Sequence, residues 1–182
     1  ENADKISFEL EINRGESVTI QADLFFPKNM NPEKSYPLVA CQHGMGGRKE
    51  SHQSLAYSFV NRGFVALTMM LRDHYGSTGH TTLGNQESYD LLDCIEHSKD
   101  IMAGRGIAID KIGLVGHSLG ALTVTLAAIR GNLNSCVAIA PPSDITALAE
   151  KSLGLDLQKH WSKVSGYNNF SDPNFVQNIT LI

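Results

Sequence analysis

The sequence predicts an α/β fold built on a mostly parallel sheet with helices on both faces. Three observations carry that prediction. The chain opens with two segments of alternating apolar and polar residues joined at a glycine. Short apolar runs without alternation follow, separated by segments of helical period. A G-x-S-x-G motif stands between one of these runs and the helix after it.

The elements follow in order. Residues 6–12 and 18–25 alternate, as half-exposed strands do, and Gly15 with Glu16 supplies the turn of an antiparallel hairpin. Residues 27–37 are rich in Asn, Pro and Lys and read as a polar loop. Residues 38–41 form a short uninterrupted apolar run, expected of a strand buried on both faces. Leu55, Phe59 and Val60 then recur at helical spacing over 50–61, and Gly63 stands just past the last turn as a helix stop. Residues 64–69 give a second buried strand. Residues 87–102 give a helix carrying Leu91, Leu92, Ile95 and Ile101 on one face. Residues 112–115 and 136–139 give two further buried strands around an apolar helix at 119–129. Buried strands alternating with helices mark parallel crossover units. After Pro141-Pro142 the rhythm is lost, and the polar stretch 144–173, which holds Trp161, is expected to be a cap inserted over the site. Residues 179–182 read as the start of a fifth parallel strand, so continuation beyond Ile182 is expected.

Composition removes several classes of function. The 182 residues make a single domain, expected to be incomplete at its C-terminal end. A chain of this size buries roughly 70% of its unfolded surface, enough for a substantial core. Hydrophobic residues at 42% and charged residues at 19% are globular values. The net charge of −4 leaves no basic surplus for nucleic acid or an anionic membrane surface. Apolar runs such as 64–67 are far too short to span a bilayer. Cys41, Cys94 and Cys136 form no C-x-x-C pair and read as small buried hydrophobes, which fits a reducing compartment. A cytoplasmic location is therefore expected over a secreted one. The sequence begins at Glu1 rather than Met, without a signal-peptide pattern, and a native start further upstream is expected.

The chemistry concentrates at two motifs. Gly116-His117-Ser118-Leu119-Gly120 falls between a buried strand and a helix. Such a tight strand-to-helix turn forces an unusual backbone conformation on the serine, and the flanking glycines let helix and strand pack closely. The hydroxyl is then held clear of the sheet at a helix N-terminus, where developing negative charge is favoured. The other motif, His43-Gly44-Met45-Gly46-Gly47, follows the first buried strand. Glycines let backbone N–H groups approach an oxyanion closely. In this setting the Met45 and Leu119 N–H groups are the expected donors. No Lys-Ser or Lys-Thr follows the glycines and no G-x-G-x-x-G fits, so a nucleotide site is not indicated.

With these motifs the chain resembles the α/β-hydrolase superfamily, and within it the dienelactone-hydrolase and prolyl-oligopeptidase-like serine esterases. The resemblance implies a serine hydrolase that cleaves a carboxylic ester through an acyl-enzyme on Ser118, with a small-molecule ester or acyl substrate and no metal or organic cofactor. Two alternatives share the site: a peptidase or thioesterase, and a hydrolase-fold binding protein without catalysis. The resemblance also places the acid and the histidine of the triad beyond Ile182, with Asp144 and His160 as the fallback pair. The family's loop after its fourth strand corresponds to 72–79 here, but the residue order differs and the loop reads as structural. His43 is expected to support the oxyanion loop. His52, His74, His80 and His97 fall where the family places no base.

Overall fold

The computed structural model describes residues 3–131 and 133–142, and the backbone of 179–181. Strands β1 (Ala3–Asn13), β2 (Ser17–Pro27), β3 (Ser35–Gln42), β4 (Val65–Met69), β5 (Ala108–His117), β6 (Ser135–Ile139) and β7 (Ile179–Leu181) form one sheet. Their order is β1-β2-β4-β3-β5-β6-β7. β1 pairs antiparallel with β2, and β2 antiparallel with β4. Every other neighbouring pair is parallel. This is the expected α/β-hydrolase sheet, hairpin included. Helices α1 (Gln53–Val60), α2 (Asn85–Ala103) and α3 (Leu119–Gly131) cover it.

The inner strands β3 and β4 lack alternation because both faces are covered. Along β3, Leu38 and Ala40 pack into the larger core with Leu91 and Ile95 of α2 and Leu122 and Val124 of α3. Val39 and Cys41 face the opposite side, against Val115, Leu55 and Phe59. The three cysteines are buried and unpaired, as expected. Among the described residues no helix is long and apolar enough to cross a membrane.

Several boundaries differ from the sequence reading, each for a local reason. β3 begins at Ser35, inside the expected loop, and takes in Pro37. The ladder to β5 is irregular between Tyr36 and Pro37, and β4 joins only at Leu38. A proline is tolerated there because the ladder is already broken. The expected helix over 50–61 is a short 3₁₀ turn, Lys49–His52, followed by α1. β2 alternates only in its first half. From Ala22 it pairs with β4, and Asp23 is 2% exposed rather than solvated. Burial alone would raise the Asp23 pKa, but hydrogen bonds from Lys49 and Ser7 hold it below the ordinary carboxylate value. The Lys49 ammonium lies 2.7 Å from the carboxylate. The cap expected at 144–173 lies outside the described residues.

α3 sits unusually close to the end of β3. A Cβ on Gly120 would fall 2.3 Å from the Gln42 carbonyl oxygen and 2.4 Å from that of His43. Both are backbone atoms, so the chain itself would have to move. Gly120→Ala is therefore expected to destabilise the protein by about 3 kcal/mol, the upper range for overpacking. Urea denaturation measures it, and a loss below about 0.5 kcal/mol, the size of an ordinary surface change, contradicts this account of the packing.

Candidate active site

The C-terminal ends of parallel β3, β4 and β5 lie side by side, with Gln42 in register with both Met69 and Gly116. The segments leaving these strands therefore meet at one edge of the sheet, where open α/β sheets bind ligands.

Ser118 occupies the turn between β5 and α3 at φ +55°, in the left-handed region that non-glycine residues rarely adopt. Such a conformation costs on the order of 1–3 kcal/mol and persists only where surrounding contacts over-determine it. Here the contacts are explicit. The Ser118 N–H donates to the Ile139 carbonyl at 3.0 Å, tying the turn to β6. The Ser118 carbonyl accepts from Leu122 N–H at 3.2 Å, starting the helix. A Cβ on Gly116 would lie 2.3 Å from the Gly120 carbonyl oxygen, so the strand enters the turn against the helix backbone. Leu119 is the first residue of α3, and the first N–H groups of a helix have no intrahelical acceptor.

The glycine loop lies directly across from this turn. A Cβ on Gly44 would stand 3.0 Å from the Ser118 Cβ and 3.0 Å from the His117 carbonyl oxygen. The carbonyl of Gly44 accepts two hydrogen bonds, from the Gly47 N–H at 3.0 Å and from the His43 ring at 2.8 Å. A trans peptide is planar, with its C=O and N–H pointing opposite ways. Holding the Gly44 carbonyl therefore also aims the Met45 N–H. The His43 ring is 1% exposed. Its Nδ1–H serves the Gly44 carbonyl, which leaves Nε2 to accept the Leu71 N–H at 3.2 Å. Burial is the main reason its pKa falls to about 4, so the ring is neutral near pH 7.

The structure thus places Ser118 and Leu119 on the turn and His43 and Met45 on the loop that faces it. It also brings in a residue that the sequence reading left aside. His74, on the segment after β4, accepts the Gly46 N–H at its Nε2, 3.0 Å away. The two residues are 28 positions apart, and only the parallel pairing of β3 with β4 places their exits together. The ring nitrogens of His43 and His74 are engaged with backbone groups, which argues against either as the base. His117 is exposed at the end of β5, His52 is half-buried, and His97 packs on Phe8 away from the turn. Burial, then the neighbouring His117, lowers the His52 pKa. Asp144 and His160 lie outside the described residues.

Comparison with known proteins agrees with the fold. The family model for X-Pro dipeptidyl-peptidase (S15 family) matches residues 15–168. Ethanol acetyltransferase 1 of Cyberlindnera fabianii is 35% identical over 121 residues, covering 63% of this chain and 33% of the relative. Esterase EstD of Thermotoga maritima is 27% identical over 125 residues, covering 64% of this chain and 29% of the relative. The chain thus spans about a third of the length of these curated relatives. The Pyrococcus furiosus esterase Pf2001 superposes with a TM-score of 0.61 at 21% identity, over 95% of this chain and 64% of its own, a likeness of fold.

The buried neutral His43 makes a pH prediction. Its ordinary pKa of 6.5 applies to the unfolded chain, and about 4 to the folded one. Between these values the unfolded state holds more protons, so stability rises with pH. The contribution is fully present above pH 6.5 and is lost as pH falls towards 4. Between pH 7 and 5 the native protein should lose on the order of 2 kcal/mol more than His43→Gln does. Urea melts across that range measure it, and parallel slopes for the two proteins contradict a buried neutral imidazole.

Proposed function

The chain belongs to the X-Pro dipeptidyl-peptidase (S15) family, and from that premise we propose that it is a serine hydrolase of carboxylic esters with Ser118 as nucleophile. One observation carries the reading. A serine in the left-handed region, between a buried strand and a helix, faces the backbone of a glycine loop whose carbonyl is held by two donors. A serine that only capped a helix would need neither the strain nor the facing loop.

In the proposed reaction the Ser118 hydroxyl oxygen bonds to the ester carbonyl carbon as a histidine base takes its proton. The carbonyl oxygen becomes an oxyanion, and the Met45 and Leu119 N–H groups receive it. Such preorganised donors are commonly worth about 3–4 kcal/mol each in the transition state. Collapse of the intermediate expels the alcohol, which leaves with the proton held by the base. Water then attacks the acyl-serine by the same steps in reverse and frees the acid. Every step is carried by protein groups and water. On the pattern of the α/β-hydrolases that the chain resembles, we propose that the acid and base of the triad follow Ile182; the chain spans about a third of the length of its curated relatives. Asp144 with His160 is the fallback pair. A small acyl ester is the substrate class, supported by the esterase and acetyltransferase names of those relatives.

The family model supports a second reading, cleavage of an amide after Xaa-Pro at the same serine. Parallel assays on p-nitrophenyl acetate and an Xaa-Pro anilide separate the two. The binding-protein alternative is tested by a fluorophosphonate probe on the full-length protein. Labelling at Ser118 is expected, and Ser118→Ala should lose on the order of 10⁶ in kcat while remaining folded. A native protein that resists the probe, or an alanine variant only a few-fold slower, removes Ser118 as nucleophile.

A further inference from the structure

His74 is 6% exposed and belongs to the segment joining β4 to α2. Its Nδ1 lies 2.9 Å from the Arg72 carbonyl oxygen and its Nε2 lies 3.0 Å from the Gly46 nitrogen. A carbonyl only accepts, so Nδ1 carries the proton and Nε2 offers its lone pair to the Gly46 N–H. One ring thus reads both partners, and only one tautomer satisfies them. The Gly46 N–H belongs to the Met45–Gly46 peptide, the plane that follows Met45. The plane that precedes it, Gly44–Met45, is held by His43 and Gly47. The backbone on either side of the Met45 Cα is therefore fixed by two imidazoles, whose centroids stand 5.3 Å apart.

The segment around His74 is built to hold it. Asp73 at φ +61° and Tyr75 at φ +21° flank it in strained conformations. Such strain marks positions that the surrounding structure over-determines. Arg72 anchors the segment through two bonds to the buried Asp90, at 2.8 and 2.7 Å. On the far side the Ser77 hydroxyl bridges the Met70 carbonyl and the Gln21 N–H, and Thr78 pairs with Thr19 of β2. The Arg48 guanidinium lies over the Tyr75 ring at 3.8 Å, a further tie between this segment and the glycine loop.

We propose that His74 is a positioning residue for ester hydrolysis: through the Gly46 N–H it fixes the peptide plane that follows Met45 and so, with His43, aims the Met45 N–H at the oxyanion. The proposal rests on the serine-hydrolase reading above. Displacement of an oxyanion donor is felt in the transition state more than in substrate binding, so the loss falls on kcat.

The test uses the full-length protein and p-nitrophenyl acetate. His74→Ala should lower kcat about 10- to 100-fold with KM changed by less than about twofold, since a misplacement near 1 Å costs rate on that scale. His74→Gln, whose carboxamide both donates and accepts, should recover most of the loss. An alanine variant with native kcat, or a glutamine variant no better than alanine, overturns the proposal. Should His74→Ala not fold, two-bond ¹H–¹⁵N correlation on the native protein decides. The ring must show a protonated Nδ1 and a bare Nε2, and a proton on Nε2 overturns the proposal. Fluorophosphonate labelling of the native protein keeps the two claims apart. A native protein that labels at Ser118 beside an unaffected His74→Ala discards the role of His74 alone, and one that does not label discards both.

Discussion

Two stretches of backbone can approach only as closely as their side chains allow, and at the C-terminal edge of this sheet three glycines lift that limit. Gly116 lets β5 enter its turn against α3, with 2.3 Å from a hypothetical Cβ to the Gly120 carbonyl oxygen. Gly120 lets α3 lie on the end of β3, with 2.3 Å to the Gln42 carbonyl oxygen. Gly44 lets the loop after β3 fold across the turn, with 3.0 Å to the Ser118 Cβ. The contacts form a chain: β5 on α3, α3 on β3, and the loop after β3 back on Ser118. Moving any one of them moves the other two. The strain at Ser118 is tolerable because this closed set of contacts, with the Ile139 hydrogen bond, leaves its backbone no other path.

A second layer surrounds the first and is polar where the core is not. Arg72 and Asp90 are both nearly inaccessible, with side-chain exposures of 4% and 0%. Removing either partner of such a buried pair would leave an uncompensated charge, so each holds the other in place. Glu87, fully buried, accepts from the Thr82 N–H at 2.6 Å, from the Gly84 N–H at 3.0 Å and from the Thr81 hydroxyl at 2.9 Å. It closes the start of α2 in the manner of a capping residue. The connection from β4 to α2 is thus pinned at both ends, and its middle carries His74 to the glycine loop. Several polar groups are thus desolvated along the one connection that carries His74 to the glycine loop.

How much of this was legible follows from which forces leave a local trace. The buried strands could be read because burial on both faces erases alternation over the run itself. The serine turn could be read because the glycine spacing is part of the local backbone requirement. The face of α2 was read only in part. Leu91 and Ile95 are buried as expected, but Glu87, Asp90 and Ser98 share that face and Ile101 lies off its centre. Buried charges satisfied by distant partners break the apolar period, so the pattern understates the contact. Asp23 escaped for the same reason, since its partner Lys49 arrives from beyond β3. His74 left no trace at all. Its meaning lies in a bond to Gly46 that exists only once β3 and β4 are paired.

The choice of histidine at positions 43 and 74 has a physical logic of its own. Each ring spans two backbone groups of opposite kind, a carbonyl and an N–H. A lysine or arginine could serve only the carbonyl, and a carboxylate only the N–H. A serine could do both but is too short to bridge segments leaving adjacent strands. A neutral imidazole donates at one edge and accepts at the other, across a rigid plane that loses little entropy. The charged form has no acceptor left, so the Leu71 and Gly46 N–H groups would face a proton. Burial of His43, which holds its pKa near 4, therefore selects the form the hydrogen bonds require. Packing and hydrogen bonding agree on one protonation state for that ring. The loop it carries is then held by a neutral ring near pH 7.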